Sequence, residues 1–127
     1  MKTEILYLSP TYPGSVHDKM ICDQEALLFE KKTRVFLDLG FLGLTSETAQ
    51  IIMPHKHKKN QELNAEQKSQ NSWISKIRVK VEHTIAGVKI FRKVKEKYRG
   101  RMMAREDTIM LIACALHNLK QKVKYAL

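Results

Sequence analysis

WISKIRVKVEHTIAGVKIFRKVK, residues 73–95, holds seven Lys or Arg, one His and a single acid, Glu82. Within it Ile74, Ile77, Val81, Ile85 and Val88 recur at three- and four-residue steps, the spacing of one apolar stripe on a helix. The spacing predicts one long helix from about Ala65 to Tyr98, with Asn64 as N-cap and a break near Asn71 left open. GRMMAR (100–105) reads as a turn, and a last helix follows from about Glu106 to Lys124. Its stripe is Ile109, Ile112, Leu116, Leu119 and Val123.

Upstream the pattern changes. EILYL (4–8) is a short apolar run stopped by SPTYPG, which predicts a strand and a loop. Ser15 and Asp18 have capping-box spacing ahead of Met20, Ile21, Leu27 and Leu28, predicting a first helix of about four turns. RVFLDLGFLG (34–43) predicts a buried strand, Val35 to Leu37, with Asp38 at its C-terminal end. AQIIMP predicts another strand, ended by Pro54, and HKHKKNQELNAEQKSQN a polar basic connection. Strands followed by long helices make an α/β chain with a helical C-terminal half.

Charge is as uneven as structure. The 127 residues carry a formal charge of +10; residues 1–53 have five Lys/Arg and seven Asp/Glu, residues 54–127 eighteen and six. A basic half of this density suits a polyanion, nucleic acid first, with a solvated charged helical surface as the alternative. Cys22 and Cys114 lie far apart, form no CxxC pair, and read as free buried thiols of a reducing compartment. No signal peptide opens the chain and no apolar run could span a bilayer, so the expectation is a cytoplasmic protein without a membrane partner.

Positions 78, 82, 86, 89 and 93 share a face of the predicted helix. An exposed Arg78–Glu82 pair is worth only about 0.3–0.5 kcal/mol. The sharper account has Glu82 holding a divalent cation beside an anionic substrate, which needs a second carboxylate. Asp38 is the candidate, because ligands of open α/β sheets bind at the C-terminal ends of strands. Its simpler role is a turn residue accepting a backbone N–H. His55-Lys56-His57 has a zinc-like spacing but is crowded by Lys58 and Lys59, which favours a basic loop. His83, beside Glu82, reads as a supporting or a plain helix residue, and Trp73 as core. His117 with Asn118 reads as polar helix packing.

Four stretches together carry a resemblance: PGSVHDKMICDQ, VFLDLGFLG, MPHKHKKNQELNAEQKSQN and ISKIRVKVEHTIAGVKIFR, with CALHNL closing. In this order they resemble the C-terminal part of the DDE transposases of bacterial insertion sequences, similar to harbinger-type nucleases. The resemblance covers nearly the whole chain. It implies an incomplete ribonuclease-H-like α/β fold with few strands and long C-terminal helices, 1–127 forming the C-terminal portion of the catalytic domain. It further implies Asp38 and Glu82 as the second and third catalytic, metal-binding acids of a site for two Mg²⁺ or Mn²⁺ ions. Lys56, Lys58, Lys59, Arg78, Lys89, Arg92 and Lys93 would hold the DNA of insertion-sequence ends.

The family's first catalytic Asp lies upstream of the Gly-Ser-x-His-Asp segment, so its strand is expected to be lacking here. Asp18 reads as a cap, not as that acid. The front half or another transposase copy would then be a partner, and cleavage by the chain alone would be impaired. A non-enzymatic basic DNA-binding module is the alternative, and a relic that does not fold alone is a third.

Overall fold

The structure is a computed structural model that describes residues 3–96 and 103–126. The elements run α1 (Asp18–Glu25), β1 (Arg34–Phe36), a short 3-10 helix (Leu39–Phe41), β2 (Gln50–Ile52), α2 (Ala65–Lys89), α3 (Arg92–Lys95) and α4 (Met103–Ala126). It is a mixed α/β chain of four helices and one two-stranded parallel sheet among the described residues. Two compact units form, Tyr12–Ile77 and Met1–Thr11 with Arg78–Leu127; α2 begins in the first and ends in the second.

In the unit Tyr12–Ile77, β1 pairs with β2 in register Arg34↔Gln50, Val35↔Ile51 and Phe36↔Ile52. The strand expected at Val35–Leu37 is thus shifted by one residue, although Leu37 N–H still reaches the Ile52 carbonyl at 3.0 Å. Trp73 meets Phe36 edge to face at 5.4 Å, an aromatic pair worth about 0.5–1.5 kcal/mol beyond its buried area. Trp73 is therefore half-buried packing on the sheet rather than full core.

The first helix is half the expected length. Ala26 turns left-handed (φ 46°, ψ 48°) and ends it. Beyond it, Thr48 draws the chain out: its hydroxyl donates to the Phe29 carbonyl at 2.7 Å, and its carbonyl accepts from Lys32 N–H at 3.2 Å. The Ser15–Asp18 capping box does not form either. His17 stands at the N-cap with no side-chain cap bond, and Asp18 is already helical. The Tyr12 hydroxyl donates to the Glu25 carboxylate, a bond that, ahead of burial and the carboxylate charge, pushes the phenol above its ordinary pKa.

α2 starts where the sequence puts it. Asn64 Oδ1 accepts from Gln67 N–H at 2.8 Å while Gln67 Oε1 accepts from Asn64 N–H at 3.1 Å, a reciprocal cap. Asn64→Ala is expected to cost about 1 kcal/mol, read as a lower melting temperature by circular dichroism. No break occurs at Asn71. Its carboxamide instead grips one residue of the basic loop: Oδ1 accepts from His55 N–H at 2.8 Å and Nδ2 donates to the His55 carbonyl at 3.1 Å. The break comes later, at Ile90–Phe91, so Arg92 and Lys93 lie on α3 and Lys93 does not share the α2 face of Glu82. The parts of the expected helix end and of GRMMAR at 97–98 and 100–102 lie outside the described residues.

In the other unit, residues 4–8 form no strand. An amide side chain takes the neighbouring strand's place: Asn118 Oδ1 accepts from Ile5 N–H at 2.9 Å and Nδ2 donates to the Ile5 carbonyl at 2.8 Å. With both polar groups of Ile5 satisfied, that position has no need of a ladder. Val88, Ala113 and Cys114 form the core, with Ile5, Phe91, Val94 and Met110 packed on it.

α4 buries the side opposite to its large apolar stripe. Ala113, Cys114 and His117 are inside, whereas Ile112, Leu116, Leu119 and Val123 are 44–57% exposed. The stripe of α2 is likewise divided: Ile74 and Val88 are buried, Val81 and Ile85 about half exposed. Small residues decide which side turns in. Gly87 has no side chain, and the His117 ring fills the space, its Nδ1 only 2.6 Å from where a Cβ would stand. Neither cysteine is paired. Burial pushes the Cys114 thiol above its ordinary pKa, and burial then the Asp23 charge do the same for Cys22 against a smaller opposing effect of Lys19.

Candidate active site

Asp38 leaves β1 at its C-terminal end and is exposed. Its backbone is extended (φ −81°, ψ 166°), its Oδ1 accepts from Leu39 N–H at 2.7 Å, and its carbonyl accepts from Phe41 N–H at 3.1 Å. It therefore caps the 3-10 helix in the turn role that local chemistry suggested. The side chain is exposed at the surface of its unit. Gly40, at the centre of this 3-10 helix, lies under the Asp18 carboxylate, whose Oδ2 is 2.8 Å from the position a Cβ would take. Gly43 (φ +90°) lies under the Lys19 side chain, whose Cε is 3.4 Å from its Cβ position.

Glu82 projects from α2 in the second unit. Arg78 Nε donates to its Oε1 at 3.2 Å, with the two side chains 60% and 58% exposed. At that exposure the pair contributes a few tenths of a kcal/mol, the lesser for having Arg first. His83 is exposed beside it. Asp38 and Glu82 thus stand in separate units, Asp38 accepting from Leu39 N–H and Glu82 from Arg78. Among the described residues no group of three or more His, Cys, Asp or Glu could hold a metal ion.

The cations divide into free and engaged. Arg92 Nε donates to Glu96 Oε1 at 2.7 Å and Lys93 Nζ lies 4.0 Å from Glu96 Oε2. Lys56, Lys58, Lys59 and Lys89 have no ion pair within the described residues. The loop bearing the first three is shaped by neutral bonds. His55 is gripped through its backbone by Asn71, and its ring Nε2 meets Gln70 Oε1 at 2.6 Å. His57 Nδ1 meets the Lys58 carbonyl at 3.1 Å, and Gln61 N–H closes the turn on the same oxygen at 3.2 Å. The two histidine rings are thus used separately, not as a His-x-His pair.

Three contacts were not read from the sequence. The Asp18–Gly40 and Gly87–His117 approaches could be read only from glycines at costly places, one following Asp-Leu and one inside a helix. The Asn118–Ile5 clamp joins positions 113 residues apart and left no local trace. His117 is 4% exposed and its Nε2 is buried with no hydrogen-bond partner among the described residues.

No helix among the described residues is long and apolar enough to cross a membrane. No solved structure matches the chain. It is 31% identical over 88 residues to a probable transposase for insertion sequence element IS702 from Microchaete diplosiphon, a match covering 69% of this chain and 32% of the relative. The chain thus spans about a third of that relative's length. The DDE superfamily endonuclease family matches residues 1–118, so nearly all of the described fold, with Asp38 and Glu82 in it, belongs to that family.

Proposed function

We propose that the chain is the C-terminal part of a transposase catalytic domain, of ribonuclease-H-like architecture, which binds insertion-sequence DNA and supplies two acids to a metal-dependent strand-cleavage site. The observation that carries this reading is the family match over residues 1–118. Asp38 and Glu82 are the two acids. Their hard carboxylate oxygens, both exposed, fit Mg²⁺ or Mn²⁺, which accept few carboxylates and complete their shell with water and phosphate. Two such ions, when bound, would activate the attacking oxygen and stabilise the leaving one. A third acid comes from chain outside these residues, either an upstream segment or another transposase copy. Glu82 must exchange its bond from Arg78 for the cation.

Lys56, Lys58, Lys59 and Lys89 are the primary phosphate contacts, because they carry no competing acid; Arg78, Arg92 and Lys93 join when Glu82 and Glu96 let them go. Salt dependence tests the assignment. Each phosphate neutralised contributes about −0.9 to the slope of log K against log salt, so Lys56→Gln/Lys58→Gln/Lys59→Gln together should make the slope shallower by about 2–3. An unchanged slope removes the loop from the interface.

A second reading is favoured by one observation. Both acids already have bland local roles, Asp38 as a cap and Glu82 as a helix ion-pair partner. A non-enzymatic module coating phosphate would use the same cations and need no divalent metal. Binding to duplex DNA that is the same in Mg²⁺ and in EDTA, with no Mn²⁺ bound by the chain, decides for the module.

A further inference from the structure

We infer that Asp18 is a positioning residue for Asp38, acting through Gly40. The inference rests on the reading of Asp38 as a metal-binding acid and deepens it. Both residues lie in the unit Tyr12–Ile77. Asp18 opens α1, and its carboxylate bears on Gly40, two residues beyond Asp38 and at the centre of the 3-10 helix that Asp38 caps. The next residue, Lys19, covers Gly43 in the same way and is itself fixed by Asp23 at 2.6 Å. Two successive side chains of one helix turn therefore lie on both glycines of the loop that carries Asp38.

Electrostatic pairing does not account for this position. The Asp18 carboxylate has no hydrogen bond or ion pair among the described residues, in a chain with 23 Lys and Arg. It does not cap its own helix, since the N-cap residue is His17 and no side chain caps there. What it does is occupy the volume above Gly40. Any side chain at position 40 would meet Asp18 Oδ2 at 2.8 Å, closer than Cβ atoms come to other atoms. Either Asp18 or the turn would then have to move. Asp38 Oδ1 and its carbonyl are bonded to Leu39 and Phe41 N–H on either side of Gly40, so a shift of the turn re-aims the Asp38 carboxylate.

Mn²⁺ binding to the full chain, followed by the loss of the free-ion paramagnetic resonance signal, tests this, with the circular dichroism melt as the control for folding. Asp38→Asn should weaken binding at least about tenfold. Asp18→Ala and Gly40→Ala should each weaken it by about tenfold, the usual scale for a group supporting a metal ligand, and no further when combined. Asp18→Asn keeps the shape above Gly40 and should stay within about twofold of the wild type. Wild-type affinity in Asp18→Ala, while Asp38→Asn loses it, overturns the inference and leaves the reading of Asp38 intact. Equal losses in Asp18→Asn and Asp18→Ala also overturn it, because charge and not position would then be at work. No Mn²⁺ binding by the wild type, or binding untouched by Asp38→Asn, overturns the reading and the inference together.

Discussion

Asp38→Ala and Glu82→Ala should each lower Mg²⁺-dependent nicking of element ends by about a thousandfold in a full-length transposase that contains these residues. Metal stabilisation of the charge developing on a scissile phosphate is worth several kcal/mol, and each 1.36 kcal/mol is tenfold in rate. Glu47→Ala is the matched control, an exposed acid of the unit Tyr12–Ile77. DNA affinity should move the other way in Glu82→Ala. Removing this acid takes a negative charge out of a basic helix, so low-salt binding tightens by a few-fold. A loss of cutting together with tighter binding is not what misfolding produces. Undiminished nicking by either variant sinks the catalytic assignment and leaves the phosphate-coating module.

Gly87→Ala should destabilise the unit built on α2 and α4, and Gly87→Val more so. The added methyl would stand 2.6 Å from His117 Nδ1 and 2.7 Å from Cε1. The ring has nowhere to go, since His117 is 4% exposed. Overpacking of this kind costs about 1–3 kcal/mol, of which better helix propensity returns at most about 1 in the alanine variant. Valine adds two further methyls and loses that compensation, so its melting temperature should fall furthest. The second site identifies the cause: in a His117→Ala background the ring is gone and Gly87→Ala should become neutral or stabilising. Equal destabilisation in both backgrounds would show that the ring is not what Gly87 accommodates.

Where one residue's chemistry decides the local outcome, the sequence was a good guide. The Asn64 cap, Pro54 just past β2, and the β-branched runs of β1 and β2 all formed close to where the sequence placed them. Apolar spacing did less. On α4 it correctly grouped Ile112, Leu116, Leu119 and Val123 on one side but not which side faces inward. Spacing measures only periodicity; inwardness was set by Ala113 and Cys114, whose small size suits a helix approached through Gly87. The length of α1 failed for a related reason. Leu27 and Leu28 continue the pattern, yet Thr48, 19 residues beyond Phe29, holds the chain extended. Of the candidate site, the acids and cations that the proposal uses are named from residue types at motif spacings. The contacts of Asp18 over Gly40 and of Asn71 on His55 span 16 to 22 residues, which no local pattern encodes.

The paired carboxamides of Asn71 and Asn118 are uncharged at any ordinary pH, and so are the peptide groups of His55 and Ile5 that they hold. Ionic strength screens charges and leaves such neutral amide pairs untouched. Brine strong enough to strip the lysines from a phosphodiester strand would therefore leave both ties closed. On the proposed reading, salt would release DNA while both of these ties hold.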